Sequence, residues 1–167
     1  MTRAVVLLAA ALAGCAPVAT RLEKSAMQPS GVSTVDQEVA EALFRHMIER
    51  SGRPISEPIA SFCIATGATN ATIGDPPPEL VRRLASLRPP VKPYSACRFT
   101  VDDVRDSASG GYAILFKVSD IACADAAHCT AVGGYVANSQ NGKGSRYQLE
   151  RRDDSWHVTG EQLFVVS

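Results

Sequence analysis

The hydrophobic period of the chain changes once, and this change constrains the fold more than any other feature of the sequence. Between residues 34 and 50, apolar side chains recur every three or four positions, as on one face of an amphipathic α-helix. From residue 96 onward apolar and polar residues alternate, which is typical of half-buried β-strands. The sequence therefore predicts an α+β domain in which a helix lies across a curved antiparallel β-meander.

The helix over residues 34–50 has signals at both ends. Ser33 or Thr34 caps its start, and Asp36 and Gln37 stand three residues further on, as a capping box requires. A glycine and a proline within residues 51–54 end it. The positions predicted to be buried are Val35, Val39, Ala40, Ala42, Leu43, Phe44, Met47 and Ile48.

Short strands and one further helix are predicted for the rest of the chain. Residues 59–66 suit a strand and residues 67–78 a loop, and a triple proline opens a short helix at residues 79–87. Hairpin turns are expected at Ser109-Gly110-Gly111 and at Asn141-Gly142. The alternating strands are predicted near residues 96–105, 112–121, 129–138, 145–152 and 156–166.

Two details of the strand region are open to direct test. Gly133-Gly134 inside a predicted strand indicates a bulge or a close approach by the helix. Trp156 is in phase with Val158, so both should face the core, and His157 should face solvent.

The start of the chain has the anatomy of a secretion signal. Arg3 supplies a positive charge, and residues 4–13 form an apolar run of about ten residues, half the roughly 20 that a membrane-spanning helix needs. The run ends in Leu12-Ala13-Gly14-Cys15, which resembles the lipobox of bacterial lipoproteins at all four positions.

That resemblance implies a signal peptide at residues 1–14 and a mature chain that begins at a lipid-modified, amino-acylated Cys15. It also implies an outer-membrane anchor facing the periplasm, because Ala16 stands where lipoproteins of the inner membrane usually carry Asp. Several acyl chains would hold the chain at the membrane permanently. Residues 15–33, rich in small and polar residues, are predicted to be a flexible tether.

The remaining residues 34–167 are enough for a single periplasmic domain with one core. Of the 17 basic side chains, the signal peptide removes Arg3, which leaves 16 against 17 acidic ones. This balance disfavours nucleic acid as a partner. The partners that we expect are the membrane, through Cys15, and an envelope protein or a small ligand.

Four cysteines remain after Cys15, and an even number in an oxidising compartment predicts two disulfides. Of three pairings we favour Cys63 with Cys97 and Cys123 with Cys129, because the second pair brackets a short loop between strands. Asp125 and His128 in that loop offer a competing metal site, but no second pair of ligands stands at a finger-like spacing. We therefore predict no metal and no cofactor.

The order of elements and the terminal hairpin, with Tyr147-Gln148-Leu149 and Ser155-Trp156-His157-Val158, resemble the cystatin-like or nuclear-transport-factor-like cone fold. The resemblance covers residues 34–166. It implies a pocket between the helices and the sheet. Members of that fold include enzymes, ligand binders and protein-binding modules, so the fold does not determine the activity.

Few residues offer catalytic chemistry. His46 on the first helix and Asp120, in phase with the buried positions of its strand, are the weak candidates for an acid–base pair in such a pocket. Motifs of hydrolases, metalloproteases and thiol oxidoreductases are absent from the sequence, and Gly142-Lys143-Gly144-Ser145 fits a hairpin better than a phosphate loop. A basic group near the second helix is a weak candidate for binding anionic envelope polymers or the carboxylates of a partner, and a solvated helix face explains it equally well. The group consists of Arg82, Arg83, Arg88 and Lys92.

A second resemblance implies a different class of function. Gly144-Ser145-Arg146-Tyr147, with Trp156 and Gly160 behind it, is similar to part of the membrane-bound inhibitors of c-type lysozyme, which are all-β lipoproteins. The function that we favour is a non-catalytic module that binds a ligand or partner in the cell envelope. The alternatives are a small-pocket hydrolase or isomerase that uses His46 and Asp120, and a lysozyme inhibitor.

The lipid anchor can be tested in a bacterial host by metabolic labelling with an alkyne fatty acid. Cys15→Ser should abolish labelling and acyl-dependent partitioning into membranes, because a hydroxyl group at this position does not accept the diacylglyceryl group. A serine variant that labels as strongly as the wild type would show that Cys15 is not the site of lipidation.

Overall fold

The computed structural model describes residues 33–50 and 58–166 and has the predicted α+β fold. Helix α1 spans Thr34–Arg50, helix α2 spans Pro78–Arg83, and a single 3₁₀ turn covers Tyr94–Ala96. The strands are β1 (Ser61–Gly67), β2 (Val91–Pro93), β3 (Cys97–Phe99), β4 (Val104–Asp106), β5 (Ala113–Cys123), β6 (His128–Asn138), β7 (Asn141–Arg152) and β8 (Ser155–Val166). Within the two described ranges no helix is long and apolar enough to cross a membrane.

Six strands form one sheet in the order β2-β1-β5-β6-β7-β8. Strands β5 to β8 are the predicted antiparallel meander. Strand β1, however, lies parallel to both β5 and β2, which the alternating pattern did not predict. The long connection between β1 and β5 contains α2 and provides the crossover that parallel pairing requires.

The prediction of a single strand at residues 96–105 is wrong. This region forms two short strands, β3 and β4, which pair with each other as a separate hairpin. A tight turn separates them. The N–H of Thr100 donates to the carbonyl oxygen of Asp103 at 2.9 Å, and the N–H of Asp103 donates to Thr100 Oγ1 at 2.9 Å. These local hydrogen bonds use backbone groups that a continuous strand would need for pairing with a neighbouring strand.

The second helix begins at the triple proline, with Pro78 in its first turn, but it ends at Arg83 instead of the predicted Leu87. Beyond Arg83, the N–H groups of Ala85 and Leu87 bond to carbonyls three residues back, which is the spacing of a 3₁₀ turn. Two prolines at residues 89 and 90 then follow and cannot continue a helix.

The hairpin between β6 and β7 turns two residues earlier than predicted. Asn138 pairs with Asn141 across the strands, so the loop is Ser139-Gln140, and the predicted Asn-Gly turn lies inside β7. The side chain of Asn138 accepts the N–H of Gln140 at 2.9 Å, which closes the turn early. The other predicted turn is confirmed, with Gly110 at φ 70° between β4 and β5.

Helix α1 begins with the predicted capping box, in which Ser33 and Asp36 exchange bonds of 3.1 and 3.2 Å between side chain and backbone. Its buried face comprises Val39, Ala40, Leu43, Phe44, Met47 and Ile48. Val35 was predicted to be buried and is 39% exposed, because burial of the helix begins one turn later, at Val39.

The sheet face beneath α1 completes the main core with Phe62, Ile64, Ile114, Phe116, Val118, Tyr147, Leu149 and Trp156. At the centre of this contact the helix crosses Gly133. A Cβ atom there would stand 3.0 Å from Met47 Sδ and 3.1 Å from Leu43 Cδ2, closer than ordinary packing allows. The predicted close approach by the helix is therefore confirmed at Gly133.

A second, smaller cluster lies on the other face of β1 and β5, with Cys63, Ala65, Cys97, Val104, Ala113 and Leu115. The disulfide between Cys63 and Cys97 lies in this cluster and joins β1 to β3. The other disulfide joins Cys123 and Cys129, which are direct partners across β5 and β6 with Cα atoms 3.9 Å apart. Both disulfide pairings favoured from the sequence are therefore confirmed.

Asp106, at the end of β4, is a buried carboxylate that is 1% exposed. Its Oδ2 atom receives Lys92 Nζ at 2.6 Å and Ser61 Oγ at 2.7 Å, and its Oδ1 atom receives the N–H of Ser109 at 2.9 Å. The Lys92 ammonium group and the Ser109 N–H hold the pKa of Asp106 far below its usual range, although burial acts in the opposite direction. One side chain thereby ties together β1, β2, β4 and the turn into β5.

Replacement of the tryptophan tests which side chains of β8 point into the core. Trp156→Ala should lower the free energy of unfolding by roughly 3 to 5 kcal/mol, because it empties a core site. His157→Ala, at the exposed neighbouring position, should cost about 0.5 kcal/mol or less. Chemical denaturation of both variants gives the two values, and equal losses would show that β8 faces the other way.

The Asp106 network predicts a loss of stability in acid. Because the pKa of Asp106 is lower in the folded state, its contribution is present above the unfolded pKa of about 3.9 and is lost as the pH falls. Asp106→Asn should destabilise the domain by about 3 kcal/mol at pH 7, and by clearly less at pH 3. Denaturation at both pH values measures the difference. Asp154→Asn, at a side chain that is almost fully exposed, is the control and should change stability at neither pH.

Candidate functional site

The end of β8 carries the most prominent exposed apolar surface. Leu163, Phe164 and Val165 are consecutive and are 51, 57 and 50% exposed. A strand turns successive side chains to opposite faces, so an uninterrupted apolar run places some of them outside any single core. Single exposed apolar residues are ordinary, but a contiguous group is typical of a surface that contacts a partner.

Strand β8 is also the edge of the large sheet, with β7 on one side and no strand of the described residues on the other. It is 12 residues long and contains neither lysine nor proline. Natural edge strands prevent pairing with another chain by being short, by carrying such residues, or by containing β-bulges and inward-pointing charges. β8 is long and lacks the first two devices, so its backbone edge is open to pairing except where two bulges interrupt it.

Two irregularities in the pairing of β8 with β7 shape this edge. The register shifts at Thr159 and again at Phe164, where β8 has one residue more than β7. As a result, Phe164 and Val165 both lie over Gly144. A Cβ atom at Gly144 would stand 3.0 Å from the Phe164 ring and 3.6 Å from Val165 Cβ. Both side chains therefore extend over the sheet face opposite α1.

Beside Phe164 and Val165 lies a shallow depression of about 140 Å³ on the same face, which we call the glycine trough. Its floor is formed by Gly134, Gly142 and Gly144, and its walls include Val132, Val136, Phe164 and Val165. Lys117 lies directly across from Gly134 at the far side. The trough and the end of β8 form one continuous surface, which is the candidate functional site.

A polar group of side chains lies on the opposite face, below the end of α1, and we call it the Glu161 cluster. Glu161 Oε1 receives Lys143 Nζ at 2.6 Å and Ser145 Oγ at 2.8 Å. The Tyr147 ring, which also bonds to Glu161, stands 5.9 Å from the His46 imidazole in an edge-on contact. His46, the predicted catalytic candidate, therefore lies beside a network of ionisable groups.

The electrostatics of the Glu161 cluster fix its protonation. Burial acts to raise the pKa of Glu161, but bonds from Lys143, Ser145 and Tyr147 outweigh it and lower that pKa to about 2. Burial and the Glu161 carboxylate raise the pKa of Tyr147 to about 12. Burial and the nearby Arg50 lower the pKa of His46 below 6.5. At neutral pH the cluster holds a carboxylate, a phenol and an uncharged imidazole.

Asp120, the other catalytic candidate, is not part of this cluster. It stands at an irregularity near the end of β5, with φ 52°, and its carboxylate accepts from Ser119 Oγ at 2.6 Å and from the N–H of Asn70 at 3.2 Å. Ser119 and Asn70 line the glycine trough, whereas His46 lies on the helix side of the sheet. The structure does not bring His46 and Asp120 together, because the irregularity in β5 takes Asp120 out of phase with its buried strand positions.

The basic residues near α2 have partners within the domain. Arg82 pairs with Glu79, and Arg83 with Glu41 at 3.5 Å. Arg88 donates to carbonyls of its own loop, and Lys92 is held by Asp106. Carboxylates from α1, α2 and β4 reach three of these four weak candidates for ligand binding, so the four residues do not form a free basic patch.

The loop closed by Cys123 and Cys129 holds the other proposed ligands. His128 Nδ1 stands 3.0 Å from Asp125 Oδ1, and both side chains are more than half exposed. Within the described residues no group of three His, Cys, Asp or Glu side chains is placed to hold a metal ion.

The residues that resemble the lysozyme inhibitors lie mostly inside the domain. Ser145 and Tyr147 are buried in the described structure, and Trp156 belongs to the core beneath α1. A 17-residue helix packs on the sheet, whereas those inhibitors are all-β. These side chains are therefore not displayed as a surface that a lysozyme would contact.

Sequence reasoning missed Glu161, Lys143 and the apolar end of β8. Lys143 and Glu161 are 18 positions apart and meet only because β7 and β8 pair, so no local pattern marks them. The end of β8 did carry a signal, since Leu163-Phe164-Val165 interrupts the alternation of the strand.

The comparison of this chain with known proteins found no match. No protein-family model matches the chain, and neither a curated protein nor a solved structure matches it.

Proposed function

We propose that the chain is an envelope lipoprotein, anchored through Cys15 to the outer membrane, whose domain binds a protein partner without catalysis. The partner contributes an extended segment that pairs with the outer edge of β8. The observation that carries this proposal is the unpaired 12-residue edge strand that ends in three half-exposed apolar side chains.

Pairing of an extended segment of the partner with β8, as an additional strand of the sheet, fits the chemistry of this edge. The backbone N–H and C=O groups along an edge strand supply affinity, and pockets for alternate side chains supply specificity. Covering the exposed halves of Leu163, Phe164 and Val165 would contribute about 1 kcal/mol each. Next to them the glycine trough offers room for an apolar side chain of the partner.

Charge indicates the composition of the partner segment. The strand carries no charged residue between Gln162 and Val166, and Glu161 is already neutralised by Lys143. Lys117, at the far side of the trough, has no ion pair within the described residues. We therefore expect an apolar segment, with an acidic side chain where the partner extends across the trough.

The ionisable groups favour binding over catalysis. Acid–base catalysis at neutral pH works best with a group whose pKa lies near 7. Glu161 and Tyr147 have pKa values of about 2 and about 12 and are bonded to each other. Asp106 is buried and fully engaged, and Asp120 lies away from His46.

Site-specific photocrosslinking in the bacterial envelope tests the proposal. The full-length lipoprotein would carry a benzophenone amino acid either at Phe164 or at Thr159, an exposed position earlier in the same strand. We expect a discrete adduct of higher mass from position 164. Adding Leu163→Lys should reduce its yield about tenfold, because a lysine on the edge opposes strand pairing.

The thermal midpoint of the Leu163→Lys variant should stay close to that of the wild type, since this side chain is half exposed. His46→Ala is the matched test of the catalytic alternative and should leave the adduct unchanged. Adducts of equal yield at positions 159 and 164, or an adduct that is insensitive to Leu163→Lys, would contradict pairing along the end of β8.

A further inference from the structure

An exposed arginine lies on β7, directly beside the outer strand of the sheet. Arg146 precedes Tyr147, which belongs to the core beneath α1, so Arg146 points to the opposite face. On that face it pairs with Val132 of β6 on one side and with Gln162 of β8 on the other. No residue of the two described ranges forms an ion pair with it. Its guanidinium group is therefore available to a partner.

Among the described residues near Arg146, no carboxylate is placed to balance its charge. Glu150, further along β7, is bonded to Arg152 at 2.6 Å. Asp120, two strands away, accepts from Ser119 Oγ at 2.6 Å. A guanidinium group can bind a carboxylate through two parallel hydrogen bonds, so an unpaired arginine is well suited to recognise one. The four neighbouring positions on the same face are all uncharged, and they are Gly144, Gln148, Val132 and Gln162.

A segment that pairs with β8 brings its side chains within reach of Arg146. The partner residue opposite Gln162 would lie two strand spacings, about 10 Å, from Arg146. An extended arginine and a glutamate span this distance together, and the uncharged Gln162 between them does not compete. Lys117 lies on β5, four spacings or about 19 Å from the partner strand, and is out of reach. Arg146 is therefore a free cation that the paired segment itself can contact.

The stretch at residues 160–163 sets the register of such pairing, because it lies between the two bulges of β8 and pairs with β7 without a shift. Leu163 is half exposed on the helix side and favours an apolar neighbour. Phe164 and Val165 are apolar on the other face. Since side chains alternate along a strand, these two apolar contacts and the position opposite Gln162 fall to three consecutive residues of the partner.

We propose that the partner segment carries two apolar residues followed by an acidic one, and that Arg146 selects the segment by binding this acidic side chain. The segment runs antiparallel to β8, as β7 does, because antiparallel pairs are slightly more stable than parallel ones. Its first residue covers Phe164 and Val165, its second covers Leu163, and the carboxylate of its third accepts from the guanidinium group of Arg146. This inference rests on the proposed pairing along β8 and specifies the sequence of the partner.

Synthetic peptides test the selection. The purified mature lipoprotein, ¹⁵N-labelled and held in lipid nanodiscs, would be titrated with acetyl-Ser-Val-Val-Glu-Thr-Thr-Ser-amide and with the same peptide carrying lysine in place of glutamate. Backbone ¹H–¹⁵N signals of residues 160–166 report binding. We expect the glutamate peptide to bind about tenfold more tightly, because it forms an ion pair where the lysine peptide meets repulsion. A peptide with Glu-Val-Val in place of Val-Val-Glu should bind as weakly as the lysine peptide, and equal binding would overturn the antiparallel order.

Charge reversal separates selection from folding. Arg146→Glu should invert the preference, so that the lysine peptide binds more tightly, at an unchanged thermal midpoint because the side chain is exposed. Lys117→Glu, the same change on the same face but out of reach, should leave the preference as in the wild type.

Two outcomes would overturn the inference: equal binding of the glutamate and lysine peptides to the wild type, or an unchanged preference in Arg146→Glu. If both peptides bind equally and Leu163→Lys still weakens them, pairing along β8 stands and only the selection by Arg146 fails. If neither peptide binds and position 164 gives no photocrosslinked adduct, the pairing itself fails together with the selection.

Discussion

The buried carboxylate of Asp106 is the interaction on which the arrangement of the sheet depends. Strand β1 lies parallel to β5 at the edge of the meander, and β2 lies parallel to β1. The four strands of the meander pair with one another without them. Asp106 joins both to β4 through Ser61 and Lys92, and it also closes the turn that leads into β5. A carboxylate with this many charge-assisted donors is costly to disrupt, because removal of one member leaves the others buried without partners.

The sequence predicted those elements whose signals are local. The period of α1, its capping box, the alternation of β6 to β8 and the pairing of cysteines across a short loop each depend on residues close together in the chain. The place of β1 depends on pairing with residues 52 positions later, and no local pattern indicates this pairing. Strand β5 shows the consequence. It runs Ala113-Ile114-Leu115-Phe116, buried on both faces because Cys97 of β3 and Val104 of β4, in the second cluster, cover what alternation predicts as a solvent face.

The Glu161 cluster was harder to predict for the same reason. Ser145 and Tyr147 belong to motifs that the sequence shows, but neither motif indicates a carboxylate partner, and no pattern marks Glu161. Pairing of β7 with β8 brings the three side chains together. Trp156 was correctly predicted as a core residue from its phase with Val158. Its unsatisfied N–H could not be predicted, because satisfaction of a donor depends on which atoms of α1 and of the hairpin reach it.

The length of α1 explains why β8 has two different ends. The start of the strand, at Trp156, lies beside Glu38, Ala42 and Arg45 in the first part of the helix. Five residues later, Glu161 lies among the groups that surround His46 and Arg50 in the last turn. The 17 residues of α1 span about 25 Å, whereas the 12 residues of β8 span about 40 Å. The helix therefore ends near Glu161 while the strand continues, and Leu163, which pairs with Ser145 on the helix side of the sheet, extends past the part of the sheet that α1 covers. Leu163 is therefore exposed because α1 ends before it, whereas Phe164 and Val165 are exposed because they lie over the opposite face of the sheet, beside the glycine trough.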